Sequence, residues 1–497
     1  MMNKITLSSQ PLWVRISALV KQLIIPYQVV FTSLYIFIFS QLCLQTATAQ
    51  EEKTFYFMHS VPQSTSYNPA KKMDFEFAIA LPIVSSLYVA GSQGATYKDV
   101  VKLDDNNDKI ISISGLVNAL QKNNLVRSSF SMDIFGVHFS DDKVNFNLSV
   151  KERGESYASI PKELLGVLLK GNGHADYLNQ RIPIEPNMNL IHWREFGIGG
   201  AYTFSEKLTI GLNAKAVFGM GNIRPDLRFS LLTEDSDNYP VTLTSGGRVQ
   251  SAGIFNVLDK KMTQDAYVLN NYKNPGFAID FGMAYQLSKR VKLEASVLNL
   301  GKITWKTNLR EYRLSHQDGS DQSYTFEGMD LAKLVTEDPE SEAFEEVLDS
   351  LEQVVTFTNI EEDGKSPEAY TTTLPIRSHL SLQYEIARNF TTGLLISGVI
   401  HDQIFQPSLG LSLQKNFGSW ITLSASYSAS PHSFQNLGAG LVLNLGSLQV
   451  YAVSDQLIST ALNYQKTHTI TARAGVNFVF GHKQTLRKEE ALLEDDF

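Results

Sequence analysis

Cysteine is all but missing from this chain of 497 residues: Cys43 is the only one. One thiol makes no internal disulfide and no paired-thiolate metal site. Leu42 precedes it, where a lipid-attachment signal wants a small residue, so Cys43 is not read as a lipid anchor. Surplus positive charge is missing too. Lys and Arg number 43 against 51 Asp and Glu, a formal charge of −8, which offers nucleic acid no basic stripe. After residue 50 no stretch approaches the roughly 20 apolar residues of a membrane-spanning helix.

Catalytic and metal signatures are lacking as well. There is no G-x-S-x-G elbow, no phosphate-binding P-loop, and no histidine pair at H-E-x-x-H or H-x-x-x-H spacing. Asp104-x-Asn106-x-Asp108 opens like a calcium loop, but Lys109 and Gly115 stand where Gly and Glu are needed, so it reads as a polar loop. No catalytic residue, cofactor or metal is expected, and an enzyme is the most distant reading.

Aromatics are abundant: 20 Tyr and 28 Phe against 4 Trp. The N-terminus is patterned for export. Lys4, Arg15 and Lys21 supply a basic start, Val29 to Leu44 an apolar stretch, and Ala47-Thr48-Ala49 a cleavage signal before Gln50. Residues 1–49 are thus expected to be a signal peptide; removing its three positive charges takes the chain from −8 to −11. Residues 50–72 follow as a short periplasmic or lumen segment, 73–481 as the barrel derived next, and 482–497 as a charged tail.

Strands send successive side chains to opposite faces, so a lipid-embedded barrel alternates apolar and polar in steps of two. In 277–287, Phe277, Ile279, Phe281, Met283, Tyr285 and Leu287 share one face, and Ala278, Asp280, Gly282, Ala284 and Gln286 the other. The pattern repeats in 73–81, where Met73, Phe75 and Phe77 oppose Asp74 and Glu76, and in 143–151, 193–204 and 468–480. Comparable runs fall near 127–139, 208–219, 291–300, 377–386, 390–400, 407–416, 419–429, 437–445 and 448–454. The run at 127–139 changes phase, which predicts a β-bulge near Ile134.

Fourteen segments result. Counting back from a periplasmic C-terminus, every second connection is tight: Gly446-Ser447, Phe417-Gly418, Ala387 to Asn389, Ser288 to Arg290, Ser205 to Lys207 and Ser140 to Asp142. The connections 82–126, 152–192, 220–276 and 301–376 are long and fall in the alternate places, as the short periplasmic turns and longer outer loops of such barrels require. The expectation is an all-β, transmembrane antiparallel β-barrel of about 14 strands in the outer membrane of a Gram-negative bacterium, with outer-membrane lipid around it. Asp74, Glu76, Lys143, Lys215, Asp280, Lys292, Glu294, Glu385 and Arg473 are predicted to face the lumen. Tyr202, Tyr285, Trp305, Tyr384, Trp420, Tyr427 and Phe480 are predicted to form the interfacial girdles. Short helices are expected in outer loops at 339–355, amphipathic and acidic, and at 161–171.

The stretch Phe57 to Ala70, with its Asn68-Pro69-Ala70, resembles the opening of a Bacteroidota family of outer-membrane barrels of unknown function. So do Leu81 to Tyr88, Gly276 to Leu287, Leu298 to Trp305 and Tyr370 to Pro375. That family is distantly similar to the fourteen-stranded long-chain fatty-acid transporter barrels, which also carry Asn-Pro-Ala near the mature N-terminus, and to accessory barrels of gliding and type IX secretion. By analogy with the fatty-acid barrels, residues 50–72 would be a small lumen plug. The resemblance implies transport of a small solute, apolar ones included. The alternative is a structural barrel that anchors or assists an envelope partner in secretion or surface attachment.

Overall fold

Apolar residues at every second position hold these segments extended, because only a strand sends them all to one side. In the computed structural model they form fourteen wall strands: β1 (Phe75–Ala80, resuming as Leu87–Ser92), β2 (Asn123–Ser140), β3 (Val144–Pro161), β4 (Asn187–Thr203), β5 (Leu208–Thr233), β6 (Pro275–Ser288), β7 (Val291–Trp305), β8 (Ile376–Ala387), β9 (Phe390–His401), β10 (Ile404–Phe417), β11 (Ile421–Ser430), β12 (Ser433–Leu445), β13 (Leu448–Ser454) and β14 (Thr469–His482). The structure describes residues 52–482 except 93–96, 104–108, 112–122, 185–186, 237–238, 259–262, 264–266, 268–271, 315–319, 328–357, 361–363, 365, 402–403, 431–432, 464 and 466–468. The expected signal peptide, the expected acidic helix at 339–355, the Asp104–Asp108 stretch and nearly all of the expected C-terminal tail therefore lie outside the described residues.

Each strand pairs antiparallel with the next, and β14 pairs with β1, matching Ala80 with Asn477 and Leu87 with Ala474. Hydrocarbon offers backbone groups no partners, and closure removes the edges that would leave them unpaired. Outward residues such as Ile198 (54 % exposed) and Phe281 (49 %) meet lipid, while inward neighbours such as Asp280 (1 %) are covered. No helix among the described residues is long and apolar enough to cross a membrane.

The six tight turns all fall at one end. The bulge predicted near Ile134 is present: the β2–β3 register shifts between Asp133 and Phe135. A larger irregularity breaks β1 at 81–86, where Ile83 has a φ of 65°. Ile83 N–H still donates to the Asp133 carbonyl (3.0 Å), and Val476 N–H to the Val84 carbonyl (2.8 Å), so the wall stays bonded on both sides.

Three expectations are corrected. Trp305 is not in a girdle: it is fully buried, donating from its indole to the Thr372 hydroxyl at 2.9 Å. The cause is a bulge at Leu298–Asn299, where Ile279 pairs with Leu300 but Phe281 with Val297, so the inward face changes parity. Met73 and Phe75 do not face lipid either; they pack with Ala78 and Val479 in an inner cluster. The connections taken as 82–126, 152–192 and 220–276 are in part wall. β1 resumes at Leu87, β3 runs on to Pro161 and β4 starts at Asn187. β5 continues to Thr233 and pairs back with Val241–Ala252. This extension carries its own core of Val167, Ile182, Ile184, Leu231, Val241 and Leu243, with Val167 supplied by the helix Lys162–Lys170.

Candidate functional site: an occupied lumen

Residues 52–71 lie inside the barrel, almost all buried. They form a helical turn (Lys53–Tyr56), then a 3-10 turn (Pro62–Tyr67) opened by a proline whose missing N–H costs nothing there. Phe55, Met58 and Val61 pack against Val442, Tyr451 and Val453, and Tyr56 and Phe57 against Leu395.

So short a segment leaves many backbone groups unpaired, and the wall supplies partners. Asp455 accepts from the backbone N–H of Lys53 (2.7 Å) and Thr54 (2.9 Å). Gln449 donates to the Ser60 carbonyl (2.8 Å), Ser296 to that of Tyr67 (2.6 Å) and Asn145 to that of Lys71 (2.8 Å). Side chains add a reciprocal amide pair, Gln63 with Asn477 (2.7 and 3.0 Å), and Tyr56 donating to Glu294 (3.3 Å). Glu52 meets the Arg473 guanidinium two-pronged, at 2.6 and 2.7 Å.

Asn68-Pro69-Ala70 turns tightly, the Asn68 side-chain oxygen accepting from Ala70 N–H at 2.9 Å. It rests on two glycines of the lumen face. A Cβ on Gly211 would lie 2.4 Å from the Pro69 carbonyl carbon, and one on Gly282 2.1 Å from the Asn68 oxygen. Only glycine permits so close an approach.

Burial moves two titrating groups of this segment. Desolvation, helped by nearby Lys292, lowers the His59 pKa to about 3. Desolvation also lowers the Lys71 pKa to about 7, against the opposing pull of Glu294. The Lys71 ammonium donates to the Tyr56 carbonyl and sits 3.9 Å from the centre of its ring.

Around this segment the wall carries paired charges, as buried charges require. Lys215 meets Asp280 at 2.7 Å and Arg153 meets Glu195 at 3.0 Å. Glu155 is shared by Arg127 (2.9 Å) and Arg377. Of the residues predicted to face the lumen, Lys215, Asp280, Glu294 and Arg473 are buried there with partners, and Lys292, partly exposed, pairs with Glu294. Asp74 is half-buried. Glu76, Lys143 and Glu385 are exposed near the tight-turn end and join no cluster.

The sequence reading does not single out Glu52, Asp455, Arg127, Arg153, Glu155 or Arg377. A signal existed for two of them, Arg153 and Glu155. Lys151, Arg153 and Glu155 keep the two-residue period of β3, but nothing apolar alternates with them, so the segment reads as loop.

Among the described residues, small cavities lie between the segment and the wall. One is bordered by Tyr67, Tyr88, Arg127 and Arg377, another by Gln63, Asp133, Lys151, Arg153, Glu155 and Arg473. Charged and polar side chains share the lining with Ala90 and Val399 in the first and with Phe130 and Leu298 in the second. No group of three or more potential metal ligands occurs among the described residues.

Residues 69–455 match the family of unknown function DUF5723. The chain belongs to that family. No curated protein matches it. Among solved structures, the toluene transporter TbuX of Ralstonia pickettii is similar at 8 % identity and a TM-score of 0.39, over 85 % of this chain and 94 % of that one. The toluene transporter TodX of Pseudomonas putida gives 10 % and 0.37 over 87 % and 98 %. A FadL homologue of Pseudomonas aeruginosa gives 8 % and 0.36 over 88 % and 100 %.

Proposed function

We propose that this DUF5723 protein is a gated outer-membrane barrel that passes a small polar solute, with residues 52–72 as the gate. The observation that carries the reading is that one separable segment fills the lumen of a wall already complete without it. The ladder from β1 round to β14 is made by residues 75–482, so the segment can shift while every strand keeps its neighbours. Its ties are hydrogen bonds worth about 1 kcal/mol net each, the Glu52–Arg473 ion pair, and the packing of Phe55 to Val61 against the wall, all non-covalent. Charged lumen walls suit a polar solute better than a hydrocarbon. An N-terminal export signal removed before residue 50, and a lipid-facing band on every strand, fit the outer membrane.

A lock tests this. The Thr54 and Ser426 hydroxyls lie 2.5 Å apart, both on short side chains. The double variant Thr54→Cys/Ser426→Cys, reconstituted in liposomes, should pass small neutral sugars when reduced and stop when oxidised. Equal flux in the two states overturns the reading.

The raised wall of β3 to β5 favours a second reading, a barrel that presents this rim to an envelope partner. Recovery of one defined protein in mild detergent, lost on trimming 223–250, would support it over transport.

A further inference from the structure

The gated reading leaves open what opens the gate, and the contacts of Arg473 bear on that. Its guanidinium is 6 % exposed and lies 4.7 Å from the Phe55 ring centre and 4.8 Å from that of Tyr88; it also donates to the Ser86 hydroxyl. Its carboxylate partner, Glu52, belongs to the movable segment and not to the wall. Glu52 also accepts from the Tyr67 hydroxyl, so one carboxylate ties the two ends of the segment together.

The adjoining cavities are bordered by five cations, Arg127, Lys151, Arg153, Arg377 and Arg473. The carboxylates bordering them are Asp133, Glu155 and Glu52, and Glu195 of β4 already pairs with Arg153. When the segment leaves, Glu52 leaves and the cations stay. Planar, two-pronged pairing is what guanidinium offers any carboxylate.

We infer that Glu52 occupies a receptor site for a small hydrophilic carboxylate, and that such a solute opens the barrel by taking its place on Arg473. This rests on the gated reading and names its solute class. The cavities lie among Tyr88 to Ser92 of the second half of β1 and Arg127 to Ser129 of β2, toward the end opposite the tight turns. A solute arriving from outside reaches them first. Their polar rims favour a short diacid or hydroxy acid over a long acyl chain.

The test uses the full barrel carrying Ser64→Cys, a position fully buried in the segment, with maleimide labelling as readout. Succinate should speed labelling about ten-fold, and its dimethyl ester should not. Inorganic phosphate can also accept two-pronged from a guanidinium, but should act more weakly in a pocket shaped around the planar Glu52 carboxylate. Glu52→Gln should label fast without any solute. Arg473→Gln should lose the succinate response, and Arg473→Lys should keep part of it; heat-modifiable mobility on gels confirms that each barrel is folded. Equal responses to succinate and its ester, or phosphate acting as strongly as succinate, overturn the carboxylate assignment. Sugar flux through the reduced Thr54→Cys/Ser426→Cys barrel would meanwhile leave the gate itself standing.

Discussion

β5 and β13 belong to the same wall but differ nearly four-fold in length, 26 residues against 7. At ~3.3 Å per residue, β5 reaches roughly 80 Å, far more than the nine to eleven residues a tilted membrane strand needs. Its first part, through Phe218, alternates exposed and buried side chains, as β11 does over its whole length. Beyond Met220 the exposed places turn from apolar to charged, and Arg224, Asp226 and Arg228 face solvent on a strand whose far end is buried in its own core. The difference teaches that the apolar outward face is imposed by lipid and ends where lipid ends.

Three substitutions along β5 test the comparison directly. The largest effect is expected for Leu231→Ala, which empties a fully buried site in the extension core and should cost about 2–5 kcal/mol there. Limited proteolysis should then cut the raised rim while the barrel keeps its heat-modifiable mobility; loss of both together would mean that extension and barrel are one cooperative unit. Next comes Leu212→Arg, which places a charge on the lipid face near mid-depth and should cost about 2–4 kcal/mol, read as reduced assembly into bilayers. Arg224→Gln, twelve residues along, should stay within about 0.5 kcal/mol of the parent. Equal tolerance of the two would erase the boundary between the regions.

A separate test distinguishes lumen from wall by pH. Below about 7, docked Lys71 keeps its charge against burial. Between that value and its ordinary 10.5 the docked amine is neutral, whereas a released one still binds a proton, so docking strengthens as pH rises through this window. His59 acts in the same sense between about 3 and 6.5. Labelling of Ser64→Cys, normalised to the unfolded chain, should therefore slow from pH 6.5 to 9. Lys71→Met should flatten that slope, and an unchanged slope would remove Lys71 from the gate.

Legibility follows the same boundary. All fourteen strands are readable because lipid forces an apolar residue at every second place, and the Ile134 bulge is readable because lipid resumes in the opposite phase. The Leu298–Asn299 bulge is hidden because the residues after it, Ile303 and Trp305, are apolar yet face inward into a cluster with Trp193 and Leu374. Periodicity reports which residues share a side and stays silent on whether that side meets lipid or a protein core. Paired positions such as Lys215 with Asp280 could be anticipated on adjacent strands. Glu52 with Arg473 could not, being 421 residues apart and joined only once the cylinder closes.

That closure has an order. The seam between the first strand and the last pairs residues farthest apart in sequence, which favours its closing last, and the occupying segment hangs directly from the first. A cylinder sealed before its tether had tucked in would have to thread that tether through an end. The cheaper route holds the segment against the inner face of the growing sheet while the seam is still open. Contacts this distant along the chain form late, so the insertion machinery would release a barrel that is born corked.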